Sequence, residues 1–232
     1  MTAVAAQDIL AAWERLCLLP RTTHWDARNS ALLDALGVTA ARDTAGARQA
    51  ALLELHASNF GDRLDGVAVC PGCGTEVELN VPVAELVSGM PSPEPVEPFD
   101  VDGVTVRWRL PGGADLALSA RCADPAQGAV LLLERISGAG LSGPVRAALA
   151  QRVAAADPFA DITFDFACPD CETTWESPLD VGDFVWARLR STARRLLGEV
   201  DELARAYGWS EGQVLALSQQ RRNSYLELVR HG

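Results

Sequence analysis

Cys70-Pro71-Gly72-Cys73 and Cys168-Pro169-Asp170-Cys171 are two CxxC turns almost a hundred residues apart, and each lies between segments that read as strands. Val67-Ala68-Val69 leads into the first, and Thr75-Glu76-Val77-Glu78-Leu79-Asn80-Val81 alternates polar with apolar behind it. Ile162-Thr163-Phe164-Asp165-Phe166 and Thr173-Thr174-Trp175-Glu176 frame the second in the same way. Alternation of period two around a tight turn marks a β-hairpin. The two sulfurs of one CxxC point the same way, so each turn offers half of a tetrahedral thiolate site, and two halves complete a site closed to solvent. Gly74, directly after Cys73, can take the positive φ of a tight metal-binding turn and leaves N–H groups free to point at sulfur.

The expected fold is therefore α+β: a zinc ribbon built from two CxxC β-hairpins, interrupted by a small α+β insertion and flanked by N- and C-terminal helices. Its cofactor would be one structural Zn²⁺ per chain on Cys70, Cys73, Cys168 and Cys171. CxxC is also a redox motif, but a redox pair sits at a helix N-terminus, where the dipole lowers the thiol pKa. Both motifs here run on into strand-like residues. The stretch between the pairs is much longer than the roughly 15–20 residues usual for such a spacing, which is why an insertion is required. Four thiolates leave no open metal position for a water, so the expected site is structural rather than catalytic. No phosphate-binding Gly loop, nucleophile elbow or HExxH is present, and the three His are scattered.

Outward from the turns, the chain divides into a helical region at 1–61, the first half of the ribbon at 62–90, a Pro-rich linker at 91–101, an inserted α+β subdomain at 102–158, the second half at 159–180, and a C-terminal helical region at 181–232. Ile9, Ala12, Trp13 and Leu16 recur at helical spacing before Pro20, and Thr44 can cap a helix from Ala45 to Asn59. Between them, the short piece Ala31–Leu36 is stopped by Gly37. Pro91-Ser92-Pro93-Glu94-Pro95-Val96-Glu97-Pro98 reads as extended linker. Val104–Leu110 alternates as a strand, Asp124-Pro125 starts a helix, and a second helix runs from Pro144 to Ala156. Val185, Leu189, Leu196, Val200, Leu203 and Tyr207 describe one long helix. Ser210-Glu211-Gly212-Gln213 has the form of a capping box. Cys17, among leucines, is expected as a buried core thiol, Cys122 as structural, and His24 and His56 as ordinary surface or core residues.

The chain has 232 residues, 48% of them apolar, enough for a real core. Its net charge of −11, with every one of its 20 basic residues an arginine, argues against a wide phosphate-binding surface. Arg194-Arg195 and Arg221-Arg222 are the best nucleic-acid candidates, and arginines on an exposed helix face of an acidic protein are more simply solvated or paired. The absence of a signal-like start and of a roughly 20-residue apolar run leads us to expect a cytoplasmic protein without a membrane partner.

Three stretches resemble the zinc-ribbon baseplate hub assembly chaperones and related baseplate-associated proteins of contractile phage tails and contractile injection systems. One is Ala47-Arg48-Gln49-Ala50-Ala51-Leu52-Leu53-Glu54-Leu55 with Phe60-Gly61 and the first CxxC. Another is Arg107-Trp108-Arg109-Leu110-Pro111, with Asp115-Leu116 and Leu131-Leu132-Leu133-Glu134-Arg135. The last is Glu199–Ala204 with Tyr207-Gly208-Trp209-Ser210-Glu211, Leu215, Leu217, Arg221-Arg222 and Tyr225-Leu226. The resemblance implies a non-enzymatic assembly factor whose partners are baseplate or hub and spike proteins of a contractile tail. In the matching C-terminal stretch, Trp209, Arg221, Arg222 and Tyr225 are the candidate partner surface, since aromatic and Arg side chains dominate binding hot spots. The other reading of Tyr207, Trp209 and Tyr225 is that they pack the last helices together. The alternative function class is a zinc-ribbon nucleic-acid-binding or regulatory module.

Overall fold

A computed structural model describes residues 4–20, 23–38, 43–91, 93–138 and 140–231; Ser92 of the expected linker lies outside them. Three helices open the chain: α1 (Ala6–Cys17), α2 (Trp25–Ala35) and α3 (Ala45–Asn59). They pack with the long α8 (Val181–Tyr207) into the main core, whose fully buried centre includes Leu32, Leu33, Leu52, Leu53, Leu55, Val181 and Leu189. The Thr44 hydroxyl accepts from Ala47 N at 3.1 Å and starts α3 as its sequence predicts. Cys17 is exposed, not buried as expected. The inward face of α1 carries Ile9, Leu10, Ala12 and Leu16, and a residue one step past Leu16 is turned about 100° from it.

Five polar residues of α2 and α3, Asp26, Asn29, Arg48, Gln49 and His56, are as deeply buried as the leucines. Arg48 Nε donates to Asp26 Oδ1 at 2.7 Å, and both side chains are about 5% exposed. Breaking such a pair leaves an uncompensated buried charge, at a cost of about 3–5 kcal/mol. Gln49 donates to the Ala160 carbonyl, and Gly46 N donates to Asp157. These bonds tie α3 to the short 3₁₀ turn Pro158–Ala160, through which the chain re-enters the core after the insertion.

Two antiparallel hairpins stand on this core. The first joins β1 (Arg63–Val69) to β2 (Glu76–Pro82), with Val69 opposite Glu76. The second joins β5 (Thr163–Ala167) to β6 (Thr174–Pro178), with Ala167 opposite Thr174. Each is closed at its base by one bond to the core side: Val83 N to Asp62 O at 2.8 Å, and Leu179 N to Ile162 O at 2.7 Å. Leu64 and Ile162 are buried there, and Gly66 lies against the Phe184 ring of α8. The hairpins therefore rise from one platform with their turns at the far end.

Between them, after α4 (Val83–Gly89), comes the insertion. It is a hairpin of β3 (Phe99–Val101) and β4 (Val104–Val106), followed by α5 (Gly113–Ser119), α6 (Pro125–Ser137) and α7 (Gly143–Ala156). Asp102 and Gly103, both at positive φ, make the two-residue turn. Strand β3 occupies positions that the sequence assigns to the linker, and β4 stops at Val106, short of the expected Leu110. Phe99, Val106, Ile136, Val145 and Leu149 form a small core separate from the main one, and Arg152 lies over the Phe99 ring at 4.4 Å. Asp115 caps α5 and receives Arg109 and Arg135, which together with the Gly112 N–H hold its carboxyl well below the usual carboxylate range.

At the C-terminus, α9 (Glu211–Leu215) and α10 (Gln219–His231) fold back on α8. The Ser210–Gln213 capping box forms with both of its bonds. No helix among the described residues is long and apolar enough to cross a membrane.

Candidate metal centre

The far ends of the two ribbons bring four sulfurs together. Cys70 and Cys171 Sγ lie 3.6 Å apart, Cys73 and Cys168 Sγ 3.5 Å apart, and all four within 4.8 Å of one another. The close pairs cross between hairpins. A tetrahedral ion with metal–sulfur bonds of about 2.3 Å requires sulfur–sulfur distances of about 3.8 Å. The cluster therefore matches a four-thiolate metal site in size, and the four cysteines are free thiols rather than disulfides.

Each turn is a knuckle built by the same bonds. Cys70 N donates to Thr75 O and Gly74 N to Cys70 O, both at 2.9 Å. In the second knuckle Cys168 N donates to Thr173 O at 2.9 Å and Glu172 N to Cys168 O at 3.1 Å. The first cysteine of each pair, Cys70 or Cys168, is buried, and the second, Cys73 or Cys171, is exposed. A threonine hydroxyl flanks each exposed sulfur, Thr75 at 3.3 Å from Cys73 and Thr173 at 3.2 Å from Cys171. Gly72 N donates to Cys70 Sγ at 3.4 Å. The knuckles are also joined directly, for the Thr75 hydroxyl donates to Asp170 Oδ2 at 2.6 Å.

These surroundings split the thiol pKa values. The hydroxyl and backbone N–H of Thr173 draw Cys171 down to about 6, and those of Thr75 lower Cys73. Burial pushes Cys168 up to about 11. Cys171 is thus readied as thiolate, whereas Cys168 needs a cation beside it before it gives up its proton. Thr75, Thr173 and Asp170 were missed in the sequence, although setting Cys-Pro-Gly-Cys-Gly-Thr above Cys-Pro-Asp-Cys-Glu-Thr would have found them.

The other candidate residues lie on α8–α10. Tyr207, Trp209 and Tyr225 form one aromatic cluster, with Tyr207 stacked on Trp209 at 4.7 Å and Tyr225 edge-on to both. Trp209 and Tyr225 pack beside the small core of Leu203, Val214 and Leu226, and Tyr207 lies exposed at the edge of the cluster. Arg221 is exposed. Arg222 does not stand on an open surface: it is 4% exposed, donates to Glu199 Oε2 at 2.9 Å and to the Leu217 carbonyl at 2.6 Å, and so pins α10 to α8. One residue on from Arg221, it is turned about 100° round the helix, onto the face that packs against α8. His24 accepts from Asp26 N at the start of α2, and His56 is fully buried, its pKa lowered first by burial and then by the charge of Arg188. Neither belongs to the cluster. No family model matches the chain, and no curated protein and no solved structure matches it.

Proposed function

We propose that the four cysteines hold one structural Zn²⁺ and that the chain is a non-enzymatic assembly factor for the baseplate or hub of a contractile tail. The observation that carries the metal half is the closed set of four sulfurs within 4.8 Å of one another. Thiolate ligands at this size favour zinc, and four of them leave no position for a water or substrate. The ion then serves to fasten two hairpins that have little apolar contact of their own at the turn end. The assembly half rests on the order of the family-like stretches around the two turns; apart from the first CxxC, they fall mainly on α3, α5, α6 and α8–α10.

Two measurements test the halves separately. Mass spectrometry of native protein purified without chelator should give one zinc per chain, and a substantially lower content would sink the metal reading. Co-expression with the products of neighbouring genes should recover a tail or hub subunit in a salt-resistant complex. Retention on DNA or RNA that is lost on raising the salt would instead favour the nucleic-acid-binding alternative.

A further inference from the structure

We infer that the cavity between α1, α8 and α10 is a docking pocket for an acidic, partly apolar peptide segment of a protein partner. The cavity has a volume of about 700 Å³ and lies where α1, the end of α3, α8, α9 and the start of α10 meet. That volume is within the roughly 300–1,000 Å³ of sites that take ligands. Three arginines line its wall, Arg188 and Arg195 from α8 and Arg222 from α10, and among the described residues no carboxylate side chain does.

The charge balance leaves the wall positive. Arg195 and Arg222 share a single carboxylate, that of Glu199, which is itself buried. Two cations against one anion leave a surplus of one positive charge at a partly dry site. Among the described residues, Arg188 pairs with the exposed Asp65, at 3.3 Å. Arg188 is 38% exposed and Arg195 46%, so both can turn toward a ligand. Helix α1 begins at the rim with no capping side chain, so its free N–H groups face the same wall, although Asp8 of its first turn, outside the lining, offsets part of its positive end. In a chain of net charge −11, this is a local inversion of sign.

The rest of the lining selects among anions. Ile9, Leu196 and Leu215 are buried in the lining and Phe60 half-buried, an apolar surface beside the guanidiniums. A peptide carrying Asp or Glu between aliphatic side chains satisfies both, with charge-assisted guanidinium–carboxylate bonds like those that Arg195 and Arg222 each give to one oxygen of Glu199. A phosphodiester strand offers nothing to the apolar part, and the acidic surroundings repel a long polyanion. None of the four clustered cysteines lines the cavity, so this inference stands apart from the metal reading and from the identity of any tail partner.

Random dodecapeptides displayed on phage, selected on the full chain, test it. Selected peptides should be enriched in Asp and Glu interleaved with aliphatic residues. A synthetic copy of the best binder should lose about ten-fold or more in affinity on Arg195→Gln, and again when its own Asp and Glu become Asn and Gln. Arg190→Gln, on the exposed side of α8 and outside the lining, should leave affinity unchanged. Arg195→Gln keeps Arg222 on Glu199, and a thermal melt checks that the fold survives; Arg188→Gln supplies the same test should it not. Recovery of no peptide, peptides without acidic enrichment, equal binding by both arginine variants, or tighter binding of a twelve-residue oligothymidylate than of the peptide overturns the inference.

Discussion

The first and second knuckles share every backbone hydrogen bond but differ in two of six residues. Gly72 and Gly74 of the first stand where the second has Asp170 and Glu172. The fifth position is left-handed in both, at φ +80 for Gly74 and +59 for Glu172. Glycine takes that conformation freely, whereas a side chain there costs about 1–2 kcal/mol. The knuckle shape therefore belongs to the hydrogen bonds and the sulfur cluster, which hold even a glutamate in it, and not to glycine. The third position differs for another reason. A Cβ at Gly72 would come within 2.8 Å of the Thr173 hydroxyl, but at the matching point Asp170 has room to turn its carboxylate to Thr75. The two-fold likeness of the backbone is broken by this one direct tie.

The largest expected effect removes what both knuckles share. Cys70→Ser takes away a buried ligand, so zinc content should fall to near zero and the amides of both hairpins should lose exchange protection together, while α3 and α8 stay protected by their leucine core. Loosening of the first hairpin alone would show that the knuckles are independent. Next, Gly72→Ala should weaken zinc in a chelator competition by about ten-fold or more, the scale of changes beside metal ligands, because the new methyl presses on Thr173. The fifth positions should respond with opposite signs. Gly74→Ala should lower unfolding free energy by about 1–2 kcal/mol, and Glu172→Gly should raise it by up to about 1 kcal/mol as the strain is released; denaturant titrations of the metal-loaded chain measure both. The smallest effect is that of Thr75→Val, which deletes the bond to Asp170 and should cost about 0.5–1 kcal/mol, with less loss from Thr173→Val, whose hydroxyl makes no such bond to the opposite knuckle.

The hairpins, their turns and the long helix were legible because their signals are local. Alternation, CxxC spacing, the Thr44 cap and the Ser210–Gln213 box each need only a few neighbouring residues. Helix α2 was read over only its second half, for its first turn buries Asp26 and Asn29 in place of apolar residues. Asp26 is inside because Arg48 arrives from another helix, a partner 22 positions away that no periodicity announces. Strand β3 hid among prolines, since three residues become a strand only when β4 supplies the other edge. The crossing of the sulfur pairs and the gathering of Arg188, Arg195 and Arg222 around one cavity depend on how elements meet, and adjacent letters carry no trace of either.

The separation of the two knuckles also sets a clock for the cell. Cys73 and Cys168, whose sulfurs end 3.5 Å apart, are 95 residues apart in the chain. At about 5–20 residues per second of synthesis, the first pair of thiols emerges about 5–20 s before the second exists. During that interval the nascent chain carries an open two-sulfur half-site, exposed to any soft metal or oxidant at hand. The whole insertion is translated inside that window, so a metal ion held as proposed could be enclosed by four sulfurs only after the second turn has emerged.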